Sequence, residues 1–230
     1  VDAMFFNAGV ADCETLNNLL SAKYEANKED VANLKEVASL LRRSECVDLP
    51  LYATVAEQLY QLDPTADAAY SLAIMFLKRQ EFDKTEGYLK EAIAKSEDNE
   101  AKAEYYLKMA QLQLAKKQYQ ATKTNALEVL KLNPNNGTAL MLIGKAYANS
   151  ASNYGEDDFD HASVFWAAVD KFQKAKQVDP AMTEEADKLI GIYSQHFPSK
   201  DEAFFSSVTD GATVKIGSWI NESTKARFRK

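Results

Sequence analysis

The stretch from Phe165 to Pro180 leaves this chain few ways to fold. Phe165, Ala168, Phe172 and Ala175 recur at steps of three and four, so they share one face of a helix that alternates large with small side chains. The alanines let a second helix approach closely, and the aromatics fill the space that remains. Pro180, which lacks an N–H and cannot continue a helix, closes the unit.

The same design runs through the rest of the chain. Leu72, Ala73, Phe82, Thr85, Leu89 and Ala92 are answered 37 residues later by Met109, Ala110, Tyr119, Thr122, Ala126 and Val129. Upstream, Asp12 can cap a helix through Asn27 with Leu16, Leu19, Leu20 and Tyr24 as its apolar stripe. Asp30 caps another carrying Leu34, Val37, Ala38 and Leu41, and its partner runs from about Leu49 to Leu62 and closes at Asp63-Pro64. Only 8 Gly and 5 Pro in 230 residues agree with helix over sheet.

Past Phe197-Pro198 the pattern changes. Ser199 with Glu202 forms a capping box for a short helix through Phe204 and Phe205. Asp210-Gly211 turns the chain, Val214, Ile216, Ser218 and Ile220 alternate as a strand, and residues 224–229 can return as a second. The four positive charges in Lys225–Lys230 read as a solvated basic end.

Residues 30–196 resemble tetratricopeptide repeats, helical hairpins of ~34 residues that stack into a solenoid. Ile143, Gly144 and Tyr147 match first-helix positions and start one repeat at Gly137, whereas counting back from Pro180 starts it at 149. The difference, 149 minus 137, puts twelve extra residues within Asn149–Asp160. A loop of that length inside a hairpin is unusual and is more often functional or mobile than idle. Because Ile143, Gly144 and Tyr147 still complement the Phe165–Ala175 stripe, its deletion is expected to cost little stability. Tyr52, Ala56, Thr85, Thr122 and Glu97 depart from the family pattern, while Leu189, Ile190 and Tyr193 suggest one more first-type helix that caps the end. The phrases Phe165–Phe172, His196–Ser199 and Gly217–Glu222 further resemble envelope-associated repeat proteins of Bacteroidota.

The resemblance implies an all-α, right-handed solenoid of about four helix hairpins over residues 1–196, with a small helix and strand extension over 197–230. It also implies a non-catalytic scaffold that holds a peptide or helix of another protein in its concave face, in the periplasm or cell envelope. Val1 in place of an initiator methionine points to a trimmed start, so the missing leader says nothing about compartment. In the family register the concave positions are Lys35, Ser39 and Arg42, then Tyr70, Ile74 and Leu77, then Leu107, Gln111 and Leu114, then Met141, Lys145 and Ala148. Only the first set pairs positive charges, so the family's carboxylate clamp is missing; the groove from Tyr70 onward is apolar, with Lys145 an isolated cation. A partner helix, a second copy of the chain in a homodimer, or the tail around Phe204, Phe205 and Trp219 could cover it. Cys13 and Cys46 would lie on one edge of such a solenoid, within reach of a disulfide.

Other chemistries find little support. A net charge of −7 argues against nucleic acid, which demands a basic stripe, and no apolar run is long enough to span a membrane. Glu156, Asp157, Asp158 and Asp160 beside His161 invite a metal, but they lack the alternation and turn glycine of a calcium loop, and Asp160 as a helix N-cap is the simpler account. His196, at a helix end, reads as structural. No phosphate loop, nucleophile elbow or paired-histidine helix is present, and no cofactor is implied. The alternative is an enzyme whose active site lies in the 149–160 insertion or in a missing N-terminal part.

Overall fold

A computed structural model describes residues 12–202 and 207–229. Ten α-helices lie wholly within them, in two compact units divided after Asp98. Phe204 and Phe205 fall outside the described residues.

The first unit contains α1 (Cys13–Ala26), α2 (Val31–Arg43), α3 (Pro50–Leu62), α4 (Ala66–Lys78) and α5 (Phe82–Lys95). Successive helices from α1 to α5 pack side by side, and α2 also touches α4. Asp12 caps α1 by accepting the Thr15 N–H at 2.8 Å, and Asp30 caps α2 through Ala32 N–H at 2.9 Å. Leu34, Val37, Ala38 and Leu41 are wholly buried, as are Tyr52 and Ala56 of α3. Tyr52, at a usually small position, is accommodated because its hydroxyl donates to the Ser71 carbonyl at 3.0 Å. Leu19 is the exception to the expected α1 stripe. It is 58% exposed while Leu16, Leu20 and Tyr24 are buried. The structure joins Cys13 to Cys46 in a disulfide, with Cα atoms 5.4 Å apart, tying α1 to the α2–α3 turn.

The second unit contains α6 (Asn99–Ala115), α7 (Tyr119–Leu132), α8 (Gly137–Ser150), α9 (Asp158–Val178) and α10 (Thr183–Ser194), followed by strands β1 (Thr213–Ile216) and β2 (Glu222–Lys225). Here α6 packs on α7 and α8, α8 on α7 and α9, and α10 on α9. The wholly buried Phe172 ring of α9 lies against Gly144 of α8, where an added Cβ would sit 2.5 Å from ring carbon Cε1.

Three of the hairpin turns share one geometry. Glu45, Gln80 and Lys117 have φ between 57° and 60°, and the next N–H reaches back to the carbonyl five residues earlier: Cys46 to Leu41, Glu81 to Phe76, Gln118 to Gln113. This 6→1 bond closes the first helix of each pair without the usual glycine. Thr85 and Thr122, buried where the family has alanine, satisfy their hydroxyls by donating to the carbonyls of Glu81 and Gln118 at 3.1 and 3.0 Å.

The insertion is only partly a loop. α8 ends at Ser150, a 3₁₀ turn covers Ala151–Asn153, and α9 starts at Asp158, reaching 21 residues against 14 for α7. Asp157, not Asp160, is the N-cap, accepting the Asp160 N–H at 2.8 Å; Asp160 instead accepts the Glu156 N–H at 3.1 Å. The C-terminal hairpin is antiparallel, with Ile216 opposite Glu222 and Thr213 opposite Lys225. Ser218 and Ile220 therefore belong to its turn, not to a continued strand, and Ser218 and Asn221 there have positive φ. The returning strand starts at Glu222, earlier than its sequence suggests.

Candidate functional site

The concave-face candidates separate by depth. In the first unit Tyr70 is 3% exposed and Ile74 is 9% exposed, so both are floor, and Leu77 is half-buried. The two concave-face cations of α2, Lys35 and Arg42, are already matched. Lys35 pairs with Asp63 at 2.6 Å, and Arg42 pairs with Asp67 at 2.5 Å, donates to the Ser71 hydroxyl and lies 5.4 Å from the Tyr70 ring centre.

In the second unit α6 presents Leu107, Gln111 and Leu114, four and three residues apart and therefore on one face, each half-buried. The flanking α8 contributes Met141, 2% exposed, and Lys145. Lys145 is not isolated, since it pairs with Glu185 of α10 at 2.6 Å. Met141 lies beneath the surface, in a buried cluster against which Leu107 and Leu114 pack. What a ligand could touch here is thus the Leu107–Gln111–Leu114 stripe.

A second constellation, which the sequence reading missed, fixes the tail. Glu222 Oε1 accepts the Tyr147 hydroxyl at 2.9 Å and pairs with Lys171 at 2.8 Å, with Lys123 at 3.9 Å. The Lys123 ammonium donates to the Ile220 carbonyl at 2.5 Å and sits 5.5 Å from the Tyr147 ring centre; burial pushes its pKa below the ordinary lysine value. Burial, with Glu222 beside it, pushes the Tyr147 phenol well up. Trp219 meets Tyr147 edge-on at 5.6 Å. Thr224 donates to Asp170, and Asp170 pairs with Arg227 at 2.8 Å. Arg227 is therefore a packed residue of a tail expected to end in solvent; it also donates to the Trp166 carbonyl at 2.7 Å and lies over Phe197.

The insertion supplies part of this seat. The Tyr154 hydroxyl accepts the Gly217 N–H at 2.7 Å, Ala151 is 3% exposed, and Phe159 packs edge-on to Trp166 at 5.8 Å. These contacts count against the expectation that the loop could be removed cheaply. Among the described residues no three His, Cys, Asp or Glu side chains group as metal ligands, and His196 stacks at 5.2 Å on Phe165. No helix there is long and apolar enough to cross a membrane.

No protein-family model matches the sequence, and no curated protein matches it. Solved structures do. YrrB, a TPR protein with an unusual peptide-binding site, superposes with a TM-score of 0.55 at 17% identity, over 80% of this chain and 84% of that one. MamA superposes with a TM-score of 0.52 at 18% identity, over 74% of this chain and 84% of that one. At such identity the likeness concerns the fold. It is an all-α tetratricopeptide-repeat solenoid with a small C-terminal strand pair.

Proposed function

We propose that this chain is a protein-interaction scaffold that takes an extended peptide or a helix of a partner protein on its first-helix face, and that it is not an enzyme. The half-buried Leu107–Gln111–Leu114 stripe carries the reading: two leucines flanking a glutamine on one helix face offer apolar anchors and a polar group at regular spacing. The peptide-binding site of YrrB, on the same fold, supports it. Apolar anchors of this kind contribute roughly 1.5–3 kcal/mol each when fully buried, less the cost of ordering the ligand.

The test is selection from a random peptide library displayed on phage, followed by binding to Leu107→Asp and Gln111→Trp variants whose helical content is checked by circular dichroism. Folded variants that lose the selected peptides support the site; undiminished binding by both would place it elsewhere. A second copy of the chain occupying the stripe would show as a dimer in sedimentation that Gln111→Trp dissociates.

We also infer an oxidising compartment, the periplasm or cell envelope. The Cys13–Cys46 bond supports it, since such bonds rarely persist where thiols are kept reduced. Thiol labelling in intact cells without reductant tests this, and labelled cysteines would argue for a reducing compartment.

A further inference from the structure

We propose that the pocket between the end of α10 and the C-terminal segment binds a carboxylate carried on an apolar body. The pocket, about 470 Å³ and open to solvent, is lined by Ser194, Gln195, Phe197, Arg227, Phe228 and Arg229. Two of the six are cations and none is an acid.

Both arginines are held but not exhausted. Arg227 spends Nη2 on Asp170, on the Trp166 carbonyl and, at 3.5 Å, on Thr224. Its Nε is buried and finds no acceptor among the described residues. Its guanidinium carbon lies 5.1 Å from the Phe197 ring centre. Among the described residues the Arg229 guanidinium pairs with Glu202 Oε1 at 3.4 Å, while the other Glu202 oxygen takes the Ser199 N–H of the capping box. The Arg229 guanidinium, planar and about half-exposed, suits a carboxylate's paired oxygens.

The end of α10 does not repel such a ligand through bare carbonyls. Those of Ile192, Tyr193 and Ser194 already accept the N–H groups of Gln195, His196 and Phe197. The Gln195 side chain adds an amide donor to the lining. Asp170 and Glu202 already offset the two arginines from outside the lining, which favours a single negative charge over a doubly charged phosphate. Phe197 and Phe228 provide the apolar flank, and Phe228 is itself braced edge-on against Trp166 at 6.1 Å. The ligand class is therefore an aromatic or aliphatic carboxylate, whether a free acid or a residue's carboxyl group.

The experiment is an NMR titration of the whole chain that follows the Gln195 amide and the Arg229 Nε–H. The probes are N-acetyl-phenylalanine, its amide N-acetyl-phenylalaninamide, N-acetyl-glutamate amide and sodium phosphate. Saturable shifts with the first, absent with the amide, are expected, and Arg229→Gln should weaken binding about tenfold, the loss of a charge-assisted contact. Arg229 is half-exposed, so that variant keeps the fold, and Arg229→Lys should recover part of the affinity. Binding of N-acetyl-glutamate amide but not N-acetyl-phenylalanine would support the carboxylate and assign it to a side chain. No saturable shift up to about 10 mM, equal binding of the phenylalanine amide, phosphate binding as tightly, or indifference to Arg229→Gln would each overturn the proposal.

Discussion

The Tyr147 hydroxyl donates to Glu222 Oε1 at 2.9 Å, joining residues 75 positions apart and anchoring the C-terminal hairpin on α8. Lys171 and Lys123 converge on the same oxygen, so Glu222 is the single anion at the centre of a half-buried cluster. Glu222→Ala should leave both lysines short of an anion and the phenol without its acceptor, costing about 2–3 kcal/mol. Chemical denaturation measures the loss, and Trp219 fluorescence should report the hairpin's release before global unfolding. An unchanged midpoint would mean that the tail is held by its apolar contacts alone.

Alkaline pH should weaken both units. Burial raises the Tyr52 phenol from 10.0 to about 12, and burial likewise raises Tyr147. Below pH 10 both phenols are protonated in the folded and unfolded states, and the stabilisation is fully present. Above it the unfolded chain releases protons that the folded chain keeps, so stability falls as pH rises toward the folded values. For Tyr52 the loss should be about 2–3 kcal/mol between pH 10 and about 12. Denaturation midpoints across that range, with Tyr147→Phe as a comparison that flattens the slope, provide the check.

The helices were legible because their signals are local. Asp12 and Asp30 announce their caps, and the spacing of Leu34, Val37, Ala38 and Leu41 announces a buried face. The turns were less so, because Glu45, Gln80 and Lys117 take a left-handed conformation that glycine usually marks. For the candidate site, spacing put Leu107, Gln111 and Leu114 on one face, but how deep Tyr70, Ile74 and Met141 lie depends on neighbouring helices. The seat of the tail could not be read at all. Lys171 and Glu222 carry no spacing signal, the spacing of Tyr147 marks only its place in a first helix, and Arg227 within a basic terminus looks like a solvated charge until Asp170 and Trp166 are seen beside it.

Reducing the Cys13–Cys46 bond should destabilise the first unit selectively. Its cysteines are 33 residues apart, which on the chain-entropy model corresponds to about 4 kcal/mol. Hydrogen exchange with and without reductant should show faster exchange in α1 and α2, with α7 to α9 unaffected. Equal acceleration throughout would mean that the units do not unfold separately.

Tyr154→Phe should loosen the tail without disturbing the helices. The change removes only the acceptor for the Gly217 N–H at 2.7 Å, for a loss of about 1 kcal/mol. Deleting residues 150–159 should cost far more, because Ala151, Tyr154 and Phe159 leave the core together. Comparing the two melting temperatures separates the hydrogen bond from the packing. A deletion as mild as the point change would show that the insertion is dispensable.

Two glycines in helices should respond to alanine in opposite directions. Gly87 lies on α5 with nothing within 4 Å of an added Cβ, so Gly87→Ala should stabilise by about 1 kcal/mol through backbone propensity and a less disordered unfolded chain. Gly144→Ala gains the same propensity but drives its methyl to 2.5 Å from Phe172 Cε1 and 2.9 Å from Cδ1 and Cζ. Phe172 is wholly buried and cannot swing aside, so overpacking of about 1–3 kcal/mol should outweigh the gain. Combining Gly144→Ala with Phe172→Leu should recover part of the loss, since the smaller side chain vacates the space the methyl needs. Thermal melts of the three variants decide it. If Gly144→Ala melts at or above the parent temperature, the close approach of α8 to α9 at this point is not what sets their packing.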